Sequence, residues 1–242
     1  MKPSKKTAPL EFPRPLTTVD MVIFTILDDS LKVVLVRRPD EGDESFPGRW
    51  ALPGGFIDVD KDASLVDCAL RKLREKTGVA APYLEQLGSW GSADRDPRGW
   101  SATHAFFALM PGRELTLQTG ANAAQVEWFD ADAATRKRLA FDHGEILSVA
   151  IDRLRSKVEY TSLPAFLLDE PFTLPQLQAT YEVVLGRPVD KSAFRKRMLD
   201  GGFMEEAGVV NSAFGRPAMG YRLVDRSRAA MFPRTFSPRD ST

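Results

Sequence analysis

Between Leu52 and Val79 the chain runs LPGGFIDVDKDASLVDCALRKLREKTGV. Lys72, Glu75 and Lys76 fall three and four positions apart there, so a helix through them gathers all three on one face. Two ammonium groups side by side match the oxygens of a phosphate or diphosphate. They are unsuited to a metal site, because Mg2+ takes oxygen ligands and lysine has no acceptor to offer. Glu75 is the single carboxylate on that face, and Asp58, Asp60 and Asp62 lie in the loop before it. Two uses of Lys72 and Lys76 fit the pattern. They neutralise a bound diphosphate directly, or they form a solvated helix face on which Lys72 pairs with Glu75. The glycine pair Gly54-Gly55, read as a turn, favours the first.

A second run, Asp94-Arg95-Asp96-Pro97-Arg98-Gly99-Trp100, sits just before a predicted strand. The guanidinium forks of Arg95 and Arg98 match phosphate oxygens. The plainer alternative is a hairpin turn whose Asp and Arg residues satisfy one another. Arg37-Arg38, at the end of an earlier strand, is a further phosphate candidate, although exposed arginines are common at strand ends. Phe46, Trp50, Phe56 and Trp100 are candidates for a wall on which a planar base stacks, although core packing is the commoner use of such rings. His143 opens a helix at Phe141-Asp142-His143; it faces the ligand site or, as the commoner use, caps or packs the helix. No nucleophile elbow accompanies either histidine, so a Ser–His–Asp hydrolase is not supported.

The elements that must position these residues follow from pattern. Thr18–Leu27 and Leu31–Arg38 are apolar and β-branched, with a tight turn at Asp28-Asp29-Ser30, and predict a hairpin. Ser64–Thr77 predicts a helix with Ser64 as N-cap and Gly78 after its end, its apolar side formed by Leu65, Val66, Ala69, Leu70 and Leu73. Further strands are predicted at Leu84–Trp90, Trp100–Leu109 and Gln125–Phe129, and a helix at Phe141–Lys157. After Tyr160 the texture changes. Thr173 caps a helix to Leu185, Gly186 ends it, Asp190 caps a second helix over Lys191–Asp200, and Phe203–Glu206 pairs with Gly220–Val224. Helix, turn, helix and hairpin is the layout of a winged helix.

The 242 residues carry no net charge, yet the charge is uneven. From Pro171 onward there are 11 Lys and Arg against 7 Asp and Glu, so the excess positive charge sits in the second domain. Its second helix concentrates Lys191, Ser192, Arg195, Lys196 and Arg197 around an apolar stripe of Phe194 and Met198, which suits a recognition helix in a DNA groove. Arg216, between Gly215 and Pro217, is a candidate for the wing; the plainer alternative for the helix is a solvated face. A single cysteine, Cys68, excludes an intramolecular disulfide framework and fits a reducing cytoplasm. No apolar run reaches membrane-span length, and the basic, proline-rich start is expected to be a disordered arm. The expected organisation is an arm over 1–15, a ligand-sensing domain over 16–158, a winged helix over 159–225 and a flexible tail over 226–242.

The segment from Gly54 to Val79 resembles the Nudix box, G-x5-E-x7-R-E-U-x-E-E-x-G-U with U aliphatic. Arg71, Leu73, Glu75 and Gly78 match it; Lys72 and Lys76 replace two glutamates, the upstream glutamate is missing, and Arg71 falls two positions late. The resemblance extends through SADRDPRGWS, LAFDH, EPFTLPQLQ, KSAFRKR and GRPAMGYRL, nearly the whole of Leu16–Val224, to the Nudix-related transcriptional regulators of NAD metabolism (the NrtR type). It implies an α/β/α Nudix sandwich joined to a C-terminal winged helix. It further implies a dimeric repressor on palindromic operator DNA near NAD-biosynthesis genes, with ADP-ribose as effector. Arg38, Gly54, Gly55, Arg71, Lys72, Lys76, Arg95 and Arg98 are the expected ligand residues. Lys191, Ser192, Arg195, Lys196, Arg197 and Arg216 are the expected DNA residues. No cofactor is required, no metal site and no membrane contact is expected, and Mg2+ enters only if hydrolysis is retained. Glu75 alone survives of the catalytic glutamates. The rival reading is an active ADP-ribose pyrophosphatase with an accessory C-terminal domain.

Overall fold

The computed structural model describes residues 13–40, 45–78, 83–112, 124–210 and 217–233. β1 (Leu16–Leu27) and β2 (Ser30–Arg37) form a hairpin whose two-residue turn places Asp28 and Asp29 at positive φ. β1 alternates along its length. Val19, Met21 and Ile23 join Cys68, Ala69 and Leu73 of α1 (Leu65–Thr77) in one apolar cluster. Val22 and Phe24 join Ile146, Leu147, Ala150 and Leu154 of α3 (His143–Val158) in another. The sheet therefore lies between two helical layers, an α/β/α sandwich.

Seven strands build that sheet, with β3 (Trp50–Ala51), β4 (Gly54–Phe56), β5 (Tyr83–Asp96), β6 (Gly99–Leu109) and β7 (Gln125–Asp130) completing it. β1 runs parallel to β6 and antiparallel to β2 and β4. The Gly54-Gly55 pair, expected as a turn, is instead strand β4, with Gly54 opposite Asp20 and Gly55 opposite Val19. β5 also runs further than expected, through Asp94-Arg95-Asp96, so the hairpin turn falls at Pro97-Arg98. α1 begins at its Ser64 cap and ends on Gly78 in the left-handed region. Its buried side is Cys68, Ala69 and Leu73; Val66, expected there, is exposed. A short helix, α2 (Ala131–Thr135), follows β7 and was not predicted.

The second domain packs onto the first without a polar break. A 3-10 turn, Leu163–Leu167, is wholly buried and leads through β8 (Phe172–Thr173) to α4 (Leu174–Leu185). Thr173 and Gln176 close a capping box on α4, and Gly186 ends it. α5 (Lys191–Asp200) starts at its Asp190 cap, and β9 (Met204–Val210) pairs with β10 (Ala218–Leu223), which pairs with β8. Phe166, Leu177, Tyr181 and Val184 share one apolar cluster with Phe24, Leu31 and Leu154 of the sandwich. The expected loose tail is anchored in its first part: Phe232 is buried against Phe203, its N–H donates to Tyr160 O at 2.7 Å, and Ser162 N–H donates to Ala230 O at 3.0 Å. Aromatic burial supplies the driving force the composition of that tail conceals. Among the described residues no helix is long and apolar enough to cross a membrane.

Candidate functional site

A cavity of about 570 Å³ opens where β4, the first turn of α3 and α1 meet the sheet. All eight residues predicted to bind a ligand line it: Arg38, Gly54, Gly55, Arg71, Lys72, Lys76, Arg95 and Arg98. Its charged lining is six Lys and Arg against Asp20, Asp58 and Asp96. Three parts of the fold hold those cations. Arg38 follows β2, Arg71, Lys72 and Lys76 come from α1, and Arg95 and Arg98 come from the β5–β6 hairpin.

The cations are not equivalent. Arg95 is buried, its Nη2 donating to Asp20 Oδ2 at 3.0 Å and its Nε to Asp142 Oδ2 at 2.9 Å. It forms the floor of the cavity rather than a free phosphate clamp. Arg98 forks onto Asp96 at 3.0 and 2.8 Å, as the plainer hairpin reading has it, while still facing the cavity with its guanidinium 5.4 Å from the Phe56 ring. Arg71 donates to both oxygens of Asp62, at 2.7 and 2.5 Å, and to Glu75 Oε1 at 2.9 Å. That fork holds the Asp62 carboxyl well below the usual carboxylate range and ties the enlarged 58–64 loop to the helix.

Lys76 differs from all of these. Its residue is 9% exposed, it lines the cavity, and among the described residues it makes no hydrogen bond or ion pair. Burial, partly offset by Glu75 and reinforced by Lys72, lowers its pKa. A desolvated ammonium facing a cavity is a site for an anion. Lys72 reaches the same wall; its Nζ lies 3.7 Å from Glu75 Oε2 and would be 3.0 Å from a Cβ on Gly55, whose φ of +145° only glycine adopts readily.

Under this cationic wall lies a buried network that the sequence did not reveal. Leu52 N–H donates to His143 Nδ1 at 2.9 Å, which leaves Nε2 to carry the ring proton toward Asp20 Oδ2, 3.3 Å away. Burial alone would raise the Asp20 carboxyl, but His143, Arg95 and Thr103 hold it below the usual range. The only signal in the sequence was a lone carboxylate inside the apolar run LTTVDMVIFTIL. A Cβ on Gly54 would meet Asp20 Oδ1 at 2.0 Å and Val19 O at 2.6 Å. Gly54→Ala is therefore expected to destabilise the fold by about 1–3 kcal/mol, the usual range for overpacking, as measured by urea denaturation.

Of the four aromatics proposed as a wall for a base, Phe56 lines the cavity. Phe46 packs edge-on against Phe141, Trp50 packs on Phe129, and Trp100 lies in an adjoining groove with Arg14 and Leu16. Phe141, not singled out in the sequence, lines the cavity with Arg38 and Arg95 guanidinium groups 5.1 and 5.4 Å from its centroid.

Asp20, Asp96 and Asp58 are each bonded to a cation, and Glu75 does not line the cavity but pairs with Arg71 and Lys72 outside it. Among the described residues no three His, Cys, Asp or Glu side chains converge.

On the second domain, Lys191, Ser192, Arg195 and Lys196 stand exposed on α5 with Phe194 and Met198 buried beneath them. Arg197 departs from expectation. It turns inward, its Nη1 donating to Glu159 O at 3.3 Å and its guanidinium lying 5.7 Å from the Phe232 ring. Lying next to the buried stripe, it is half-buried at the domain junction, unlike its exposed neighbours. Arg216 lies outside the described residues.

A Nudix sandwich with a cationic cavity, packed onto a winged helix with a basic second helix, defines a DNA-binding regulator with a small-molecule site of its own. Comparison with known proteins agrees. Residues 16–149 match the NUDIX domain and residues 164–223 the NrtR DNA-binding winged helix domain. The chain is 43% identical to the "ADPR responsive transcriptional repressor NtrR" of Acinetobacter baylyi, over 93% of this chain and 88% of that protein. Shewanella oneidensis NrtR complexed with a 27mer DNA superposes with a TM-score of 0.83 at 42% identity, covering 92% of this chain and 100% of that one. The NUDIX domain of the same protein complexed with ADP ribose superposes at 0.55 and 44% identity, covering 62% of this chain and 94% of that one. The chain belongs to the NrtR family of Nudix-related transcriptional regulators.

Proposed function

We propose that this protein is a homodimeric repressor of NAD biosynthesis or salvage genes that binds a palindromic operator through α5 and releases it when ADP-ribose occupies the Nudix cavity. The observation that carries the reading is Lys76, a buried lysine with no hydrogen-bond or ion-pair partner among the described residues, on the wall of a cavity with twice as many cations as carboxylates. A diphosphate supplies the missing partner. The ADP-ribose complex of the Shewanella oneidensis domain supports the choice of ligand. Lys72 and Lys76 would neutralise the diphosphate where the Nudix box has glutamates for a metal, so the bound nucleotide persists instead of being cleaved. The setting of such a protein is the cytoplasm, where DNA and NAD metabolites meet.

Release of DNA requires that ADP-ribose favour one arrangement of the two winged helices over another, because a ligand shifts an equilibrium only between states it binds differently. A two-fold dimer on a two-fold operator makes modest rotations sufficient.

The test is a gel-shift titration of duplex DNA from upstream of the protein's own gene, with and without ADP-ribose, repeated for Arg195→Ala across a salt series. A specific complex should form and weaken with ADP-ribose. Arg195→Ala should weaken it and lower the slope of log affinity against log salt by about 1, the signature of one lost phosphate contact. Absence of any specific complex would refute the regulator reading, and Mg2+-dependent cleavage of ADP-ribose would favour the hydrolase.

A further inference from the structure

One element joins the cavity to the recognition helix. The first turn of α3 is built into the cavity floor: Asp142 accepts from Arg95 Nε at 2.9 Å, and His143 accepts from Leu52 N–H at 2.9 Å. The exit of α3 is gripped by the winged helix at three points and by the anchored tail at a fourth. Glu159 O accepts from Arg197 Nη1 at 3.3 Å, and Glu159 Oε1 accepts from Arg187 Nη2 at 2.6 Å. Tyr160 O accepts from Phe232 N–H at 2.7 Å, and Thr161 O accepts from the Tyr181 hydroxyl at 2.7 Å. Between its ends Ile146, Leu147, Ala150, Ile151, Leu154 and Val158 are buried. A helix of 16 residues spans about 24 Å, and embedded in a close-packed core it moves as a rod rather than bending locally.

We infer that α3 carries occupancy of the cavity to the recognition helix, and that Arg197 is the positioning residue that fixes α5 to the end of that rod. The inference rests on the reading that the cavity takes ADP-ribose and α5 takes DNA. A ligand seated against Arg95, Phe141 and His143 changes the forces on the first turn of α3, where Asp142 and His143 are anchored. Phe194 and Met198 hold α5 to the domain, but apolar contact is non-directional and resists separation more than rotation. The directed bond from Arg197 to Glu159 O is what gives α5 a fixed rotation relative to α3. Arg197 would thus act through α5 without touching DNA.

The experiment uses full-length Arg197→Met and Arg197→Lys beside wild type and Arg195→Ala. ADP-ribose affinity is measured by calorimetry, and affinity for the upstream duplex by fluorescence anisotropy over a salt series, with and without saturating ADP-ribose. In wild type, ADP-ribose should weaken DNA binding by roughly 5–150-fold, the usual span of allosteric coupling. Arg197→Met should bind ADP-ribose as wild type does, keep the wild-type salt slope, and lose most of that ADP-ribose effect. Arg197→Lys, which keeps the charge but not the fork, should fall between. Three outcomes overturn the inference: a full ADP-ribose effect in either folded variant, a fall in salt slope of about 1 like that of Arg195→Ala, or loss of fold in both, which would mark a purely structural role. Wild-type protein that binds DNA or ADP-ribose without coupling, or binds neither, overturns the functional reading itself, and is recognised before any variant is compared.

Discussion

Arg95→Met is expected to destabilise the protein by about 3–5 kcal/mol, the usual consequence of removing one partner from a buried ion pair. The side chain is 4% exposed, and its loss leaves Asp20, 7% exposed, with only His143 and Thr103 to hold its charge and removes the cation from Asp142. For a chain of this size the midpoint of thermal unfolding should fall by roughly 2–4 °C for each kcal/mol. Asp20→Asn added to Arg95→Met should restore part of the loss, because the amide removes the poorly compensated charge. Arg98→Ala gives the contrast. Its side chain is 37% exposed, and Asp96, though only 4% exposed, keeps Ser45 Oγ and the Arg98 backbone N–H as donors, so the expected loss is smaller, about 1–3 kcal/mol. Thermal unfolding of the four proteins separates a structural floor from a ligand clamp. Equal effects of Arg95 and Arg98 substitution would show that the buried network does not bear the stability assigned to it.

Lys76→Met should do the opposite. Lys76 is buried and has no hydrogen-bond or ion-pair partner among the described residues, so an apolar side chain of similar length should leave stability unchanged or slightly raised. Affinity for ADP-ribose should fall by roughly 10–100-fold, since a charge-assisted hydrogen bond is worth about 1.5–3 kcal/mol and 1.4 kcal/mol is tenfold. Calorimetric titration checks the affinity and thermal unfolding the stability. The charged form of Lys76 is the one that holds phosphate, and burial lowers its pKa. Wild-type affinity should therefore decline as pH rises, starting below the range where an exposed lysine would titrate. Lys76→Met with unaltered affinity would place the diphosphate elsewhere.

Those two residues show where the sequence could be read and where it could not. Lys72 and Lys76 were legible because one helix, bounded by the Ser64 cap and Gly78, fixes both on a single face. The same local logic located α4 and α5 through Thr173, Gly186 and Asp190. The Asp20–Arg95–Asp142 network was not legible. Its members are separated by 75 and 47 positions and come from three elements, so only the folded sheet brings them together. Arg95 was selected for its chemistry and given a freer role than its burial permits. Arg197 is a related case. Its charge suggested DNA, whereas its place beside Met198 on the buried side of α5 brings it to Glu159. The Gly54-Gly55 pair read as a turn because glycine so often makes one; here bare Cα atoms let β4 lie against Asp20 and Lys72.

The central claim is that the cavity holds ADP-ribose uncleaved and that its occupancy loosens DNA binding. Fluorescence anisotropy of a labelled upstream duplex, saturated with wild-type protein in buffer containing Mg2+, tests both parts after a single addition of ADP-ribose. The account predicts a fall in anisotropy that persists for hours, because the ligand is bound and not consumed. No fall would contradict the coupling. A fall followed by recovery as ADP-ribose is cleaved would contradict the conversion of a hydrolase site into a receptor.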